Sequence, residues 1–206
     1  MNAYAADYTE WSNSGVLPTD AGSYYLTTDI TLDSTWCVPS GATNLRLNGH
    51  GIIYTGSNNA RVITVGNGAE LNLYDSDTTT KHYVMLDAIG RGTSVSDTTT
   101  DGAIEVTGGY ITGGTITISE GYGGGVYVSD GGSFTMYGGT IEGNSAMKSC
   151  GGLYVYKPVN LSGSVRIINN TADGGMSNLY VTSGGKINII GKLDDTSSIG
   201  VLMKSP

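Results

Sequence analysis

Three segments of the chain repeat one another without gaps. Residues 62–75 read VITVGNGAELNLYD, residues 125–138 read GVYVSDGGSFTMYG, and residues 178–191 read NLYVTSGGKINIIG. Their apolar positions coincide: Ile63, Val126 and Leu179; Val65, Val128 and Val181; Leu71, Phe134 and Ile187; Leu73, Met136 and Ile189. Such a repeat constrains the fold more than any single motif, because each copy has an apolar face that only its neighbours can bury. Two looser copies fill the gaps. Leu153-Tyr154-Val155 is followed by Val159-Asn160-Leu161 after a shorter turn, and Ile104-Glu105-Val106 is followed by Gly108-Gly109 and then Tyr110-Ile111.

Apolar residues that alternate with a period of two specify strands with one buried face. Glycine pairs between them specify turns, with positive φ as the expected conformation. Ile104, Val126, Leu153 and Leu179 follow one another at 22, 27 and 26 residues, which fits one coil of a solenoid and is too long for a hairpin. Each coil is read as three strands, for example 125–129, 133–137 and 139–142, with Val126, Val128, Phe134, Met136 and Ile141 pointing inward. The expected architecture is all-β, a parallel β-helix of about five to seven coils stacked at the strand spacing of about 4.8 Å. Composition agrees. The chain has 33 glycines in 206 residues, no Gln, five Glu and 14% charged residues, so it lacks the usual covering of helix surfaces. Glycine does not recur every third residue, which excludes collagen.

The whole of 1–206 is expected to form a single β-helix domain. Residues 1–33, with Trp11 and the strand-like run Tyr24–Leu32, would be an N-terminal cap, and 34–76 the first coils. Regular coils would run through 102–203 and end in a closing strand, Ser198–Leu202. Between them, 77–101 interrupts the period with two DTTT runs around His82-Tyr83-Val84-Met85-Leu86 and is expected to leave the solenoid as an excursion. Asn144 and Asn170, 26 residues apart, should share one corner and bond along the stack. Ala3-Tyr4-Ala5 has the form of an export cleavage site. No apolar run reaches the length of a membrane helix.

These residues resemble a family. Asn44-Leu45-Arg46-Leu47-Asn48-Gly49-His50-Gly51-Ile52 is similar to the opening coil of bacterial right-handed β-helix surface proteins. Gly123-Gly124-Gly125-Val126-Tyr127-Val128, Phe134-Thr135-Met136, Gly138-Gly139-Thr140-Ile141 and Gly143-Asn144-Ser145-Ala146 are similar to their repeat unit, and Asn178-Leu179-Tyr180-Val181 with Ser198-Ile199-Gly200-Val201 to their terminal coil. The resemblance implies a secreted, adhesin-like module of a Gram-positive, often gut-dwelling bacterium, held at the cell wall through regions outside this chain. It implies that 1–206 is one part of a longer surface protein, and it implies no settled activity.

Candidate chemistry is sparse. Pectin-cleaving β-helix hydrolases carry Gly-His-Gly with paired Asp residues upstream and an Arg-Ile-Lys step downstream. Gly49-His50-Gly51 has no such Asp pair before it, and Arg166-Ile167-Ile168 lacks the Lys. His50 is therefore read as closing a turn and bonding the backbone. Asp75, Asp77, Glu105, Asp130 and Glu142 do not share one coil position and are read as separate surface charges. His82 is read as a lone exposed histidine, and no metal or other cofactor is expected. Cys37 and Cys150 fall several coils apart, beyond the roughly 7 Å reach of a disulfide, and are read as free, with Cys150 buried.

Aromatic residues stand out instead. Tyr127, Tyr154 and Tyr180 occupy one outward slot on successive coils, which earlier coils fill with Thr64 and Glu105. Tyr74 and Tyr137 share a second outward slot, and Tyr83 lies in the excursion. Exposed tyrosines suit sugar rings or a protein partner; stacking that only stabilises the solenoid is the plainer alternative. The candidate binding residues are thus Tyr127, Tyr154, Tyr180, Tyr137 and Tyr83, with no catalytic residue. The expected partner is a host glycan or glycoprotein, immunoglobulin and mucin among the conceivable ones, in addition to adjoining domains of the longer protein. A net charge of −8 without a basic cluster argues against nucleic acid and anionic membranes. A spacer role and a carbohydrate-active enzyme, with carboxylates meeting between the excursion and the coils, are the competing readings. Thr residues do not form the T-x-T array that ice binding needs.

Overall fold

Alternating segments become parallel strands that lie side by side in three rows. The computed structural model describes residues 8–57, 59–119 and 121–203, and no helix occurs among them. Strands are numbered β1 to β24 in chain order. The first row comprises β4 (Trp36–Val38), β7 (Ile63–Val65), β14 (Val126–Val128), β17 (Leu153–Val155), β21 (Leu179–Val181) and β24 (Val201–Met203), paired in that order. The second comprises β1 (Thr9–Trp11), β2 (Ser23–Leu26), β5 (Gly41–Arg46), β8 (Ala69–Tyr74), the first halves of β15 (Ser133–Ile141) and β18 (Val159–Ile167), and β22 (Ile187–Leu193). The third comprises β3 (Ile30–Leu32), β6 (Gly51–Tyr54), β12 (Tyr110–Thr112), the second halves of β15 and β18, and β23 (Ser198–Ile199). Because β15 and β18 run through both, the second and third rows form one 11-stranded sheet, and no sheet closes on itself.

Register accounts for the core. In the first row Trp36, Ile63, Val126, Leu153 and Leu179 sit in line and are buried. The third row places six isoleucines in line: Ile30, Ile52, Ile111, Ile141, Ile167 and Ile199. Each aliphatic side chain withdrawn in this way contributes about 1.5–3 kcal/mol. The five inward residues named for the repeat, Val126, Val128, Phe134, Met136 and Ile141, are all buried. Outward positions form columns too. On the second row Ser23, Asn44, Asn72, Thr135, Asn160 and Asn188 are in register, and Asn188 Nδ2 donates to Asn160 Oδ1 at 3.0 Å.

A fourth, small sheet stacks β13 (Thr115–Ile116), β16 (Ser145–Ala146) and β19 (Thr171–Ala172) in parallel, with β20 (Gly175–Met176) antiparallel at its edge. Beside it Asn144 Nδ2 donates to Asn170 Oδ1 at 3.0 Å, and Asn170 Nδ2 donates to Asn178 Oδ1 at 3.1 Å. The expected asparagine pair is a ladder of three.

Several expectations change. The copy at 104–106 does not join the rows. β9 (Lys81–Leu86), β10 (Gly92–Ser96) and β11 (Ile104–Thr107) form a separate antiparallel sheet, so the excursion extends beyond 77–101 to include Thr107. Ile63 and Val126, 63 residues apart, are direct neighbours in the first row. The strands read as 133–137 and 139–142 are continuous in β15, which shifts register between Met136 and Gly138 and bends at Gly139 (φ 95°). Gly131 and Gly132 do not take positive φ; a β-carbon there would instead run into Asn67 and the Val65 carbonyl of the neighbouring strand. Of the expected cap, β1, β2 and β3 all pair within the rows, and Trp11 at the end of β1 packs on Trp36 at 5.0 Å. The Ala3-Tyr4-Ala5 motif lies outside the described residues.

Candidate ligand groove and the base of the excursion

Period-two alternation puts Tyr127, Tyr154 and Tyr180 between inward residues, and the register aligns them. Their rings stack: Tyr127 on Tyr154 at 5.7 Å and 11°, and Tyr154 on Tyr180 at 5.2 Å and 3°. Tyr122 lies across Tyr154 at 4.7 Å, and Tyr156 meets it edge-on at 5.3 Å. The Arg61 guanidinium covers Tyr127, 4.3 Å from the ring centre, and its Nε donates to the Tyr122 carbonyl at 2.9 Å. Thus Tyr154, expected to be exposed, is 5% exposed. Its ring faces are taken up by other tyrosines, which corrects the picture of free faces offered to sugar rings.

Edges and hydroxyls remain. Tyr122, Tyr154, Tyr156 and Tyr180 line an open groove of about 570 Å³ together with Lys148, Ser149, Thr182 and Ser183. That volume falls within the range of small-ligand sites. Burial and hydrogen bonding to Tyr156 raise the hydroxyl pKa of Tyr154, and burial and the neighbouring Tyr156 do the same for Tyr127. Both remain protonated at neutral pH and can donate as well as accept. Burial lowers the Arg61 pKa against the opposing effect of Tyr127. Tyr127 does not line the groove; its ring lies between Tyr154 and the Arg61 guanidinium. The second slot is separate: Tyr74 and Tyr137 stack at 4.6 Å and 2°, beside Arg46 in a recess of about 120 Å³. Tyr83 lies on β9, its hydroxyl 3.4 Å from Glu105, away from both tyrosine clusters.

The base of the excursion is polar and buried. Asp75 is buried and accepts from Gly49 N at 2.9 Å and Gly109 N at 2.7 Å. Burial raises its pKa, while those backbone donors pull it back down. Gly108 (φ 77°) must be glycine, because a side chain would strike the Asp77 carbonyl and the Asp75 carboxylate. His82, expected to be exposed and alone, is 3% exposed. Its Nε2 faces Gly49 O at 2.7 Å and its Nδ1 faces Asp97 Oδ1 at 2.9 Å. Gly49 lies 33 residues away in sequence, so no local pattern announces the contact. His50 closes its turn through its own amide, bonded to Leu47 O at 3.0 Å, but its ring faces Asp29, Nδ1 to Oδ1 at 3.8 Å, rather than the backbone.

The remaining carboxylates are engaged one by one. Asp77 accepts from the amides of Thr80 and Thr79 and from the Thr80 hydroxyl, which hold its pKa well below the usual range. Asp87 faces Arg91, Glu105 faces Lys81, and Asp130 faces Lys157. Asp101 is exposed. No two of these share a partner among the described residues. Glu142 is not a surface charge. It is fully buried, accepts from Asn169 Nδ2 at 3.1 Å, and burial pushes its carboxyl up to about 7. The neighbouring Gly143 carbonyl accepts from Gly92 of the excursion at 2.7 Å. No group of three or more metal-binding side chains occurs among the described residues. Cys37 is free and exposed. Cys150 is free and buried, and its burial raises the thiol pKa.

Tyr156 was within reach of sequence reasoning, since it lies two residues after Tyr154 and period two puts both on one face. Tyr122, Arg61 and Lys148 come from turns, where no period applies. No protein-family model, curated protein or solved structure matches this chain.

Proposed function

We propose that the chain is a parallel β-helix serving as a non-catalytic, adhesin-like module of a bacterial cell surface, and that the tyrosine groove binds the glycan of a host glycan or glycoprotein. The fold reading is supported by the order in which the chain visits the first, second and third rows, repeated from β4 to β24. The binding reading rests on one observation: four tyrosines, Lys148 and three hydroxyl side chains converge on one open groove. Glycans present dense, directional hydroxyls, which tyrosine edges and serine or threonine hydroxyls can pair with. The enzyme reading lacks comparable support, because the carboxylates of the excursion and its surroundings are engaged separately.

A glycan array and a pulldown from mucus or serum test the proposal. Binding should be lost with Tyr180→Ala and weakened about tenfold with Tyr156→Phe, as expected for one lost hydrogen bond of about 1–1.5 kcal/mol. Tyr137→Ala, in the separate recess, should leave binding intact. Absence of any ligand would leave a spacer.

A further inference from the structure

We propose that the excursion is a proton-dependent flap, closed on the third row while Glu142 is protonated and lifted from it when Glu142 ionises. Ile141 points into the core, so Glu142, the next residue, points to the outer face of the row. Its amide donates to Ile111 O at 3.1 Å, which sets it beside Thr112. An outward carboxylate on a strand ordinarily meets water, yet Glu142 and Thr112 are both fully buried. The excursion lies over them. Gly92 N donates to Gly143 O at 2.7 Å, and a side chain at Gly92 would strike the Thr112 hydroxyl. At Gly143 a β-carbon would stand 3.0 Å from Leu86 Cδ2 and 3.2 Å from Gly92 N.

Inside this seam a carboxylate is poorly served. Oε2 accepts from Asn169 Nδ2, whereas Oε1 is buried with no hydrogen-bond partner among the described residues. Burial outweighs that bond and the favourable charge of Arg166 on β18, and pushes the carboxyl up to about 7. On the excursion side, Arg91 and Asp87 flank the contact and face each other at 3.6 Å. From β12 come the Thr112 hydroxyl and Tyr110, whose hydroxyl donates to Asp29. An ionised Glu142 can regain water by unfolding the rows or by lifting the excursion. Lifting is the smaller event. The rows share one continuous apolar core, while the excursion is held by a separate small one, Val84, Val106 and Tyr110 with Ile53, Leu86 and Val95 at its margin. The sign follows from linkage: the closed form binds the proton more tightly, so opening releases it and is favoured as pH rises from 4.5 through 7.

Amide hydrogen exchange of the 206-residue chain at pH 5 and pH 8, corrected for the intrinsic effect of pH on exchange, tests the proposal. Opening constants at Gly92 and across β9 should rise at least about tenfold between the two, as the difference between the closed and ordinary values of Glu142 requires. Those at Val126–Val128 of the first row should stay level. Glu142→Gln, which keeps the shape and cannot ionise, should remove the rise. Near-ultraviolet circular dichroism of the tyrosines checks that the variant is folded. Three results would each overturn the proposal. The opening constants at Gly92 and β9 could stay level, or the first row could open to the same extent. The rise could also persist in Glu142→Gln and so belong to another group of the excursion, such as His82.

Discussion

The two ends of the stack terminate the same sheets and are finished differently. At the N-terminal end, β4 ends the first row, and its inward residues Trp36 and Val38 are covered by Trp11 and by the chain that precedes them. At the C-terminal end, β24 ends the same row, and Val201 and Met203 lie open. Both are edge strands paired on one side only. The difference teaches that register alone does not bury a residue; a layer on each side does. Trp11 achieves this with a single large ring, and its indole Nε1 bonds Asn13 O at 3.2 Å, so that covering the core leaves no orphaned donor.

The sharpest way to break this comparison is to remove the seal. Trp36→Ala should destabilise the protein by about 3–5 kcal/mol, the range for a large buried aromatic. Loss of the Trp36 Nε1 bond to Pro18 O adds to the effect. A value under about 1 kcal/mol by urea denaturation would mean that the sealed end is no more ordered than the open one.

A matched pair within one register column comes next. Leu179→Ala should cost about 2–5 kcal/mol, whereas Val201→Ala, one strand further along, should cost less than about 1 kcal/mol. The two residues are direct register partners, so the contrast isolates cover from position. Equal losses would show that β24 is covered in solution.

These contrasts also show what sequence could and could not convey. The segments at 62–75 and 125–138 pair in the register of their alignment, and 178–191 continues that register through β17 and β18, because apolar alternation with fixed turn length sets register directly. Ile104-Glu105-Val106 has the same local pattern but pairs antiparallel with β9. Alternation states which face is buried, not which strand lies alongside. His82, Asp75 and Glu142 were misread for a related reason. Their burial comes from the docking of the excursion on the rows, a long-range event with no local signature. Of the tyrosine site, the column Tyr127, Tyr154 and Tyr180 was legible, whereas its flanks Tyr122 and Arg61 lie in turns.

Between the ends, the interior layers are closed enough to hold a carboxyl group. Glu142 has a folded-state value of about 7 against an ordinary 4.5. Folding therefore favours its protonated form. The associated penalty is absent below pH 4.5, grows as pH rises toward 7, and is complete above it. Glu142→Gln should be as stable as the parent at pH 4 and up to about 3 kcal/mol more stable at pH 8. The parent's stability should fall over that interval and the variant's should not. A parallel pH dependence for the two proteins would place Glu142 in contact with water, like the open end rather than the interior.

The smallest expected effect separates packing from hydrogen bonding. β4 and β24 each pair with one neighbour in the first row, so their backbone bonding is alike in kind. Only the side-chain cover differs. Amide hydrogen exchange at Trp36–Val38 should therefore be about 10–100-fold slower than at Val201–Met203 in dilute solution, a difference of about 1.4–3 kcal/mol in local opening. If backbone pairing alone governed protection, the two strands would exchange at similar rates.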